Sequence, residues 1–392
     1  MAITDDKKHM AILFMSIFLV GMGFSIIMPV LPYYAKSMGA SAFQLGMLMT
    51  VYAICQFIFT PIWGAYSDKV GRKPVLLAGI IGFSLTFILF GFATQLWMLY
   101  VIRIAGGIMA CATMPTAMAY VGDSSSLEDR GSAMGLIGAA MGMGMVFGPA
   151  IGGLLSEISL AFPFVFAGLL AMGNAVSVVF LLPESLPVEE RLERQTERAS
   201  LLEGLRTPLA VLFLCTCLAS LGESMHHGTF ALFAQAKLAF TARDIGWSFT
   251  TAGIVMALVQ GLVVGRMINY FGEEKTAATG ITIMGFSFVL FLFMFNIPSS
   301  IAFMAVFSAG VGLIRPSISA AISKRTLVGQ GEAMGVLGAF DSLGRMIGPA
   351  LGGLMLDRGL NLGYYTAIIV CVLALLTLII GTRILSSRVL GE

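Results

Sequence analysis

The stretch Gly144-Met-Val-Phe-Gly148-Pro149-Ala-Ile-Gly152-Gly153 occurs in two copies in this chain of 392 residues. The second copy begins 200 residues later and reads Gly344-Arg-Met-Ile-Gly348-Pro349-Ala-Leu-Gly352-Gly353. When residues 133–157 are compared with residues 333–357, 12 of the 25 positions are identical. The two halves of the chain are therefore predicted to be duplicates of one structural unit.

Each copy lies in an apolar run that is long enough to cross a bilayer as a helix. Its glycines would let two helix backbones approach closely, and its proline would bend the helix or loosen its hydrogen bonds locally. Ordinary packing of small residues would account for any one of these glycines. It does not account for the whole pattern appearing twice at equivalent places.

The composition indicates a membrane protein. Hydrophobic residues make up 58% of the chain and charged residues only 11%, against about 25% charged residues in soluble domains. A compact soluble core could not bury so much apolar surface, so lipid must cover it. The net charge of +2 and the absence of a basic patch argue against nucleic acid as a partner. All five cysteines fall inside apolar runs, which predicts packing residues and neither a disulfide framework nor a metal site.

Twelve transmembrane spans are predicted, six in each half. A polar segment rich in Glu and Arg separates the halves, so we expect domains at residues 1–185 and 208–392 with a cytoplasmic linker at 186–207. The first span follows the polar start Asp5-Asp6-Lys7-Lys8-His9 and extends to about Ala35; it is too long for the core of a signal peptide. The other predicted spans are 43–66, 74–94, 96–121, 132–156, 161–182, 209–235, 244–270, 275–296, 299–322, 333–356 and 362–384.

The orientation follows from the lysines and arginines in the loops. With an even number of spans, both termini lie on one side, and that side receives 16 of these residues while the opposite side receives 4. Cytoplasmic loops carry the excess of positive charge, so both termini are predicted to be cytoplasmic. The expected location is the cytoplasmic membrane of the cell.

The loop after the second span carries the pattern Gly64-Ala-Tyr-Ser-Asp68-Lys-Val-Gly71-Arg72-Lys73-Pro74. It resembles the signature Gly-x-x-x-Asp-x-x-Gly-Arg-Lys of the major facilitator superfamily, and specifically its twelve-helix drug:proton antiporters. The repeated stretch described above resembles the antiporter motif of the fifth helix in that family. Two further matches are Pro29-Val-Leu-Pro32 in the first span and Leu99-x-x-x-Arg103-x-x-Gly106-Gly107 in the fourth, where Gly106 stands in place of the usual Gln.

The resemblance implies an all-α fold of two pseudo-symmetric six-helix bundles, and a monomer.

It also implies a cytoplasmic gate, in which Asp68 faces the positive N-terminus of the eleventh helix and Arg72 pairs with Asp123. Gly64 and Gly71 would permit close approach and a tight turn. The counterpart in the second half is eroded, because Asn269 replaces the aspartate. The positive-inside rule alone accounts for Lys69 but not for Asp68 and its spaced glycines. The gate residues are Gly64, Asp68, Gly71, Arg72, Lys73 and Asp123.

Charged residues inside the spans carry the strongest functional signal, because placing each of them in the membrane costs a few kcal/mol. Asp341 and Arg345 are four residues apart on one helix, so they share a face and can pair; a structural ion pair and a coupling role are equally open. Arg315 could neutralise an acid or bind an anionic part of a substrate. Arg103 has a coupling or structural role in the family. The predicted coupling and cavity residues are Glu223, Asp341, Arg315, Arg345, Arg103 and His227.

Glu223 lies in the middle of the seventh span. A carboxyl in a low-dielectric cavity is easily protonated, so it can load and release a proton as access alternates. The alternative is a structural partner for an arginine. His226 and His227 follow at i+3 and i+4 and could titrate near neutral pH, or they could be hydrogen-bonded in a cavity wall. No second Glu-x-x-His set completes a metal site, so neither a metal nor another cofactor is expected.

The leading functional hypothesis is a secondary transporter that exports drugs or other small organic compounds in exchange for protons by alternating access, and so confers antibiotic resistance. No phosphate-binding Gly-x-x-x-x-Gly-Lys-Ser/Thr stretch exists, which argues against direct use of ATP. The alternative substrate is a specific polar or anionic metabolite, such as a sugar, an amino-acid derivative or a metallophore, which the three embedded arginines favour. A receptor or membrane enzyme is disfavoured, because no nucleophile and base occur together.

Overall fold

The computed structural model describes residues 2–125, 130–186, 209–326 and 330–389. These residues form twelve long helical rods and contain no strand. The predicted linker lies outside the described residues apart from Leu186. The helices are α1 (Ala2–Ser37), α2 (Ala42–Val70), α3 (Arg72–Gly91), α4 (Leu96–Ser124), α5 (Arg130–Leu155), α6 (Phe162–Leu181), α7 (Ala210–Leu238), α8 (Ala242–Phe271), α9 (Glu273–Leu292), α10 (Ile297–Arg325), α11 (Gln330–Arg358) and α12 (Leu362–Val389).

Each predicted span coincides with one of these rods, and the bounds differ by a few residues. The largest difference is at the start, because α1 begins at Ala2 and includes the polar residues that the sequence analysis placed before the first span. Two rods change their winding along their length: α4 has a 3-10 turn at Ala110–Ala112 and α8 has a π turn at Val259–Val263.

Ten of the described helical stretches are long and apolar enough to cross a membrane. The other two rods, α7 and α11, are each 29 residues long but are not among the ten. They are also the rods that carry Glu223, Asp341 and Arg345 within their length. The chain is therefore an all-α, multi-pass membrane protein.

The chain divides into two compact units. Unit 1 comprises Met1–Ala40, Val51–Glu197 and Ile245–Thr250, as far as these ranges are described. Unit 2 comprises Ser41–Thr50, Arg198–Asp244 and Thr251–Glu392, with the same restriction. Each unit thus contains six rods, except that a short segment of α2 belongs to unit 2 and a short segment of α8 belongs to unit 1.

In unit 1, α1 and α5 pack along each other, and the repeated glycines make that packing possible. A Cβ atom on Gly144 would lie 2.4 Å from the carbonyl oxygen of Phe18, and one on Gly148 would lie 1.9 Å from Ser25 Oγ. The Ser25 hydroxyl donates to the carbonyl oxygen of Gly144 at 3.1 Å. Gly152 is close as well, with its Cβ position 3.1 Å from the Ile26 carbonyl oxygen. The α5 backbone therefore lies directly against α1.

In unit 2, the second copy of the motif does the same between α7 and α11. A Cβ atom on Gly344 would lie 2.3 Å from the Cys217 carbonyl oxygen, and one on Gly348 would lie 2.0 Å from Ser224 Oγ. The Ser224 hydroxyl donates to the carbonyl oxygen of Gly344 at 3.1 Å. Pro149 and Pro349 both lie inside their helices, which continue past them. The two copies thus occupy equivalent places, each against the first rod of its own half.

Candidate functional site: an embedded charge cluster

Four charged side chains from α7, α10 and α11 meet inside unit 2, and Asp341 is at their centre. Arg315 Nη2 donates to Asp341 Oδ1 at 2.9 Å. Arg345 Nη2 donates to the other oxygen, Oδ2. The hydroxyl of Ser220, on α7, also donates to Oδ1. One carboxylate therefore joins two guanidinium groups and ties three helices together.

Glu223 is the fourth member and is held more loosely. Its Oε2 lies 3.7 Å from Arg315 Nη2, which is an ion-pair distance but is too long for a hydrogen bond. Its side chain is 16% exposed and that of Asp341 is 12% exposed, whereas those of Arg315 and Arg345 are 40% and 48% exposed. In this cluster the acids are shielded and the cations are accessible.

The cluster borders a cavity of about 190 Å³ within unit 2. Glu223, Asp341 and Arg315 supply its charged wall, and aliphatic side chains supply much of the rest. The cavity can therefore hold an apolar body beside a charged group. Its full lining is Thr216, Ala219, Ser220, Glu223, Val311, Ile314, Arg315, Ile318, Ser319, Met334, Leu337, Gly338 and Asp341.

Helical spacing explains why these residues meet. Asp341 and Arg345 are four residues apart on α11, and Ser220 and Glu223 are three apart on α7, so each pair shares one face of its helix. Glu223, Asp341, Arg315 and Arg345 are the four predicted cavity residues that the structure brings together. Ser220 is not among the residues predicted from the sequence. The signal was present in the spacing of Ser220, Glu223 and His227 along one helical face.

The two histidines of α7 lie in different surroundings. His226 is fully buried, and its ring is surrounded by aromatic residues from four helices. Its Nδ1 lies 3.3 Å from the hydroxyl oxygen of Tyr364. His226 is thus part of the core, whereas His227 is partly exposed and its ring meets that of Phe307 edge-on at 5.7 Å. The aromatic residues around His226 are Phe230, Phe288, Phe291, Phe307 and Tyr364. Among the described residues, no group of three or more His, Cys, Asp or Glu could hold a metal ion.

Arg103 is not part of the cluster. It lies in unit 1, where its side chain is buried and its guanidinium carbon stands 5.0 Å from the centre of the Tyr52 ring and 5.6 Å from that of Phe90. Its Nε is buried without a hydrogen-bond partner among the described residues. Attraction to the ring faces partly offsets the cost of burying this cation. Arg103 therefore belongs to unit 1, whereas Glu223, Asp341, Arg315, Arg345 and His227 belong to unit 2.

The predicted gate residues gather around Arg72 in unit 1. Arg72 Nη2 lies 2.6 Å from Asp68 Oδ1, and Arg72 Nε donates to Asp123 Oδ2 at 2.9 Å. A third donor, Nη1, reaches the hydroxyl oxygen of Ser67 at 2.6 Å. Gly71, with φ 113°, links α2 to α3 in a backbone conformation that side chains rarely adopt. Arg72 is buried and holds both acids.

Two details of this region differ from the sequence expectation. A Cβ atom on Gly64 would have no neighbour within 4 Å, so no close approach is made there. The reason is that this end of α2 does not pack closely on another helix backbone. Glu184 was missed: its carboxylate accepts from the backbone N–H groups of Arg72 at 2.7 Å and Lys73 at 3.2 Å. Glu184 thereby accepts from two N–H groups of the first turn of α3, which have no carbonyl partner within the helix.

The corresponding turn of the second half has the opposite charge arrangement. Gly272, with φ 83°, links α8 to α9 as Gly71 links α2 to α3. Here the first turn of the following helix is acidic, and Glu273 and Glu274 pair with Lys324 and Arg325 at the end of α10. In the first half the base is on α3 and the acid is on α4. The loss of the aspartate at Asn269 is thus accompanied by an inverted set of ion pairs.

Comparison with known proteins places this architecture in a family. The family model described as Major Facilitator Superfamily matches residues 13–211 and again residues 212–390. The chain belongs to the major facilitator superfamily. One match falls on each half of the chain, and each match contains one copy of the repeated glycine motif.

Among superfamily members, the chain is similar to several bacterial proteins over nearly its whole length. It is 33% identical to Multidrug resistance protein 2 of Bacillus subtilis over 373 residues, which cover 93% of this chain and 92% of that protein. It is 30% identical to Multidrug resistance protein 1 of the same organism, over 92% of this chain and 94% of that one. It is 29% identical to Quinolone resistance protein NorA of Staphylococcus aureus, over 92% and 93% of the two chains.

Solved structures agree on the fold. A bacterial homologue of the human lysosomal transporter Spinster, in an inward-facing and occupied conformation, matches with a TM-score of 0.83 at 14% identity, over 95% of this chain and 96% of that one. The human organic anion transporter MFSD10 matches with a TM-score of 0.67 at 21% identity, over 95% and 99%. This superfamily member is a transporter and not an enzyme, and it handles a small-molecule substrate in a lipid bilayer.

Proposed function

We propose that the protein is a proton-coupled antiporter that exports drugs and other small organic compounds by alternating access. The observation that carries this proposal is the position of Glu223, a loosely held carboxyl on the wall of a cavity, next to Arg315. The likeness to two multidrug resistance proteins and a quinolone resistance protein supports the substrate class.

The charges of the cluster suggest how a proton would be coupled. Two carboxylates and two guanidinium groups balance when all four are ionised. Protonation of Glu223 leaves a net charge of +1, so it weakens the binding of a cationic group at the same place. A proton and a cationic substrate group then compete for Glu223, which is what antiport requires. Asp341 is less suited to this role because its two oxygens already accept hydrogen bonds from three donors.

Transport in sealed vesicles tests the proposal. Purified protein is reconstituted into lipid vesicles, and a fluorescent cationic amphiphile is added to them. A pH gradient across the vesicle membrane is imposed in one set of experiments and withheld in the other. We expect accumulation against the dye gradient only when the pH gradient is present, with release of protons in exchange. Accumulation that ignores the pH gradient would contradict proton coupling. Protein-free vesicles measure leakage and partition into lipid.

The proposal includes a location and an organisation. The protein would work as a monomer in the cytoplasmic membrane with both termini in the cytoplasm, because 16 loop lysines and arginines fall on that side and 4 on the other. Residues 1–185 and 208–392 would act as two domains joined by the segment 186–207.

Export of a specific polar or anionic metabolite is the second candidate function, and the exposure of Arg345 and Arg315 favours it.

The gate gives a separate prediction. Asp68→Asn keeps the shape of the side chain but removes one of the two carboxylates that hold Arg72, and it removes the charge that would oppose a helix N-terminus. Such a charge contributes about 0.3–1 kcal/mol when exposed, and up to about 2 kcal/mol when partly buried. We expect normal folding, because Asp123 still holds Arg72, and a loss of transport through a weakened state closed to the cytoplasm.

Lys69→Gln is the matched control, because Lys69 is the exposed neighbour of Asp68 and makes no ion pair in the described structure. The measurements are vesicle transport and the labelling of single cysteines introduced on the cytoplasmic side. If Asp68→Asn transports at the wild-type rate with unchanged labelling, the gate role of Asp68 is wrong.

A further inference from the structure

We propose that the preferred substrates carry both a cationic and an anionic group, with Glu223 binding the first and Arg345 together with Arg315 binding the second. This inference rests on the proposed function and specifies its substrate class. It is carried by the unequal accessibility and unequal bonding of the four charges in unit 2, together with the apolar cavity beside them.

Asp341 is the anchor of the cluster, and its oxygens are already engaged by three donors from this chain. It accepts from Arg315, Arg345 and Ser220, and its side chain is only 12% exposed. Two of these bonds come from guanidinium groups, whose charge compensates that of the carboxylate. An arriving ammonium group would have to compete with these two guanidinium groups for the carboxylate. Asp341 therefore positions the arginines and does not itself recognise the substrate.

Several N–H groups of the Arg345 guanidinium have no hydrogen-bond partner among the described residues. A guanidinium group has five N–H donors in a fixed plane, which suits a carboxylate or a phosphate. The described residues engage Arg345 through Nη2 alone, toward Asp341, and its side chain is 48% exposed. Arg315 adds a second cation whose side chain is 40% exposed. An anionic group therefore meets accessible donors that Asp341 holds in place.

Glu223 offers the complementary charge. Its one ion pair among the described residues is with Arg315 at 3.7 Å, beyond hydrogen-bond distance, so its oxygens remain available to a ligand N–H group. The neighbouring His227 and the two arginines are the other titratable or charged groups that lie near it, in addition to Asp341. An ammonium group of a substrate would replace a weak contact with a charge-assisted hydrogen bond.

Charge balance argues against a substrate with only one sign of charge. The cluster is neutral when fully ionised, so a zwitterion binds without leaving net charge in a membrane interior. A purely anionic substrate would bind best when Glu223 is protonated, and it would then move with the proton and not against it. A zwitterion keeps the competition at Glu223 that antiport needs and also uses Arg345. The aliphatic wall formed by Val311, Ile314, Ile318, Met334 and Leu337 would take its apolar body.

Four derivatives of one fluorescent probe test the inference. Nα-dansyl-lysine carries an ammonium and a carboxylate on a flexible chain; its methyl ester is a cation, its Nε-acetyl form is an anion, and the doubly blocked compound is neutral. Binding to the purified full-length protein in lipid nanodiscs is followed by dansyl fluorescence at neutral pH. We expect the wild-type protein to bind the zwitterion at least about tenfold more tightly than either singly blocked form.

Variants assign each preference to its residue. Arg345→Gln should remove the preference for the zwitterion over the methyl ester and keep the preference over the Nε-acetyl form. Glu223→Gln should remove the preference for the zwitterion over the Nε-acetyl form and keep the preference over the methyl ester. Arg345→Lys keeps the charge without the planar fork and should retain part of the preference. Arg358→Gln, an exposed arginine at the end of the same helix, is the matched control and should change neither ratio. Binding of the neutral compound shows that each variant is folded.

The inference is overturned if the methyl ester binds the wild-type protein as tightly as the zwitterion does, or if Arg345→Gln and Arg345→Lys both leave that ratio unchanged. The proposed function fails by a different result, namely transport of these probes that does not respond to a pH gradient. If the protein prefers the cationic methyl ester and transports it in response to a pH gradient, the inference about zwitterionic substrates is wrong and the antiporter proposal still stands.

Discussion

Glu223→Gln is expected to abolish accumulation of substrate against its gradient, down to the level of protein-free vesicles, while downhill movement through the protein remains. Glutamine keeps the shape and hydrogen-bonding capacity of the side chain but cannot titrate, so it mimics a carboxyl that is permanently protonated. The residue borders the cavity and holds Arg315 only at 3.7 Å, so its removal disturbs little of the packing. The measurement is dye accumulation driven by a pH gradient, together with downhill dye exchange in its absence.

Asp341→Asn is the informative comparison for this variant. It removes a carboxylate from the same cluster, but one whose oxygens are already engaged by three donors, so we expect a smaller or substrate-dependent effect on coupling. It should lower thermal stability more than Glu223→Gln does, because two guanidinium groups lose their shared partner. If the Glu223→Gln protein still concentrates dye with a pH gradient, the proton is carried elsewhere, and Asp341 and His227 become the next candidates.

Gly148→Ala is expected to have the largest effect on folding. The added methyl group would lie 1.9 Å from Ser25 Oγ and 2.5 Å from the Met22 carbonyl oxygen, and the second of these atoms belongs to a helix backbone that cannot turn aside. Overpacking of this kind costs about 1–3 kcal/mol. We expect a lower yield and a lower melting temperature of the purified protein, measured by the unfolding of detergent-solubilised samples.

The same helix supplies the control. A Cβ atom on Gly142 would have no neighbour within 4 Å, so Gly142→Ala should be neutral or slightly stabilising through the higher helix propensity of alanine. Adding Ser25→Gly to Gly148→Ala removes the nearer clash and leaves the clash with Met22, so recovery should be partial. Equal melting temperatures for the Gly148→Ala and Gly142→Ala proteins would show that α1 and α5 are not packed as described.

Much of the fold could be predicted because its signals are local. Spans of about 20 apolar residues predict the rods, and the repeated motif places Gly148 and Gly348 at equivalent positions before any coordinates are known. The pairing of Asp341 with Arg345 follows from helical spacing alone. The approach of Arg315 to both acids does not, because it depends on how α10 is rotated against α7 and α11.

Other parts of the site could not be predicted, for the same reason. Ser220 and Glu184 are ordinary polar residues by sequence, and their roles arise from a carboxylate or a helix end that tertiary packing brings within reach. His226 carried a titration hypothesis that its aromatic surroundings disfavour, since those rings come from helices distant in the sequence. Gly64 matched a family signature, but the structure leaves open space there.

The uneven distribution of polar residues among the rods also bears on how the chain enters the membrane during synthesis. On insertion scales, an Asp or Arg at the centre of a helix costs about 2.5–3.5 kcal/mol. The embedded charge cluster places Asp341 and Arg345 on α11, Arg315 on α10 and Glu223 on α7. Because the chain is synthesised from its N-terminus, Glu223 is added before Arg315, and Arg315 before Asp341. We therefore expect the seventh helix to integrate stably only after the tenth and eleventh helices have been synthesised, because they carry the charged residues next to Glu223.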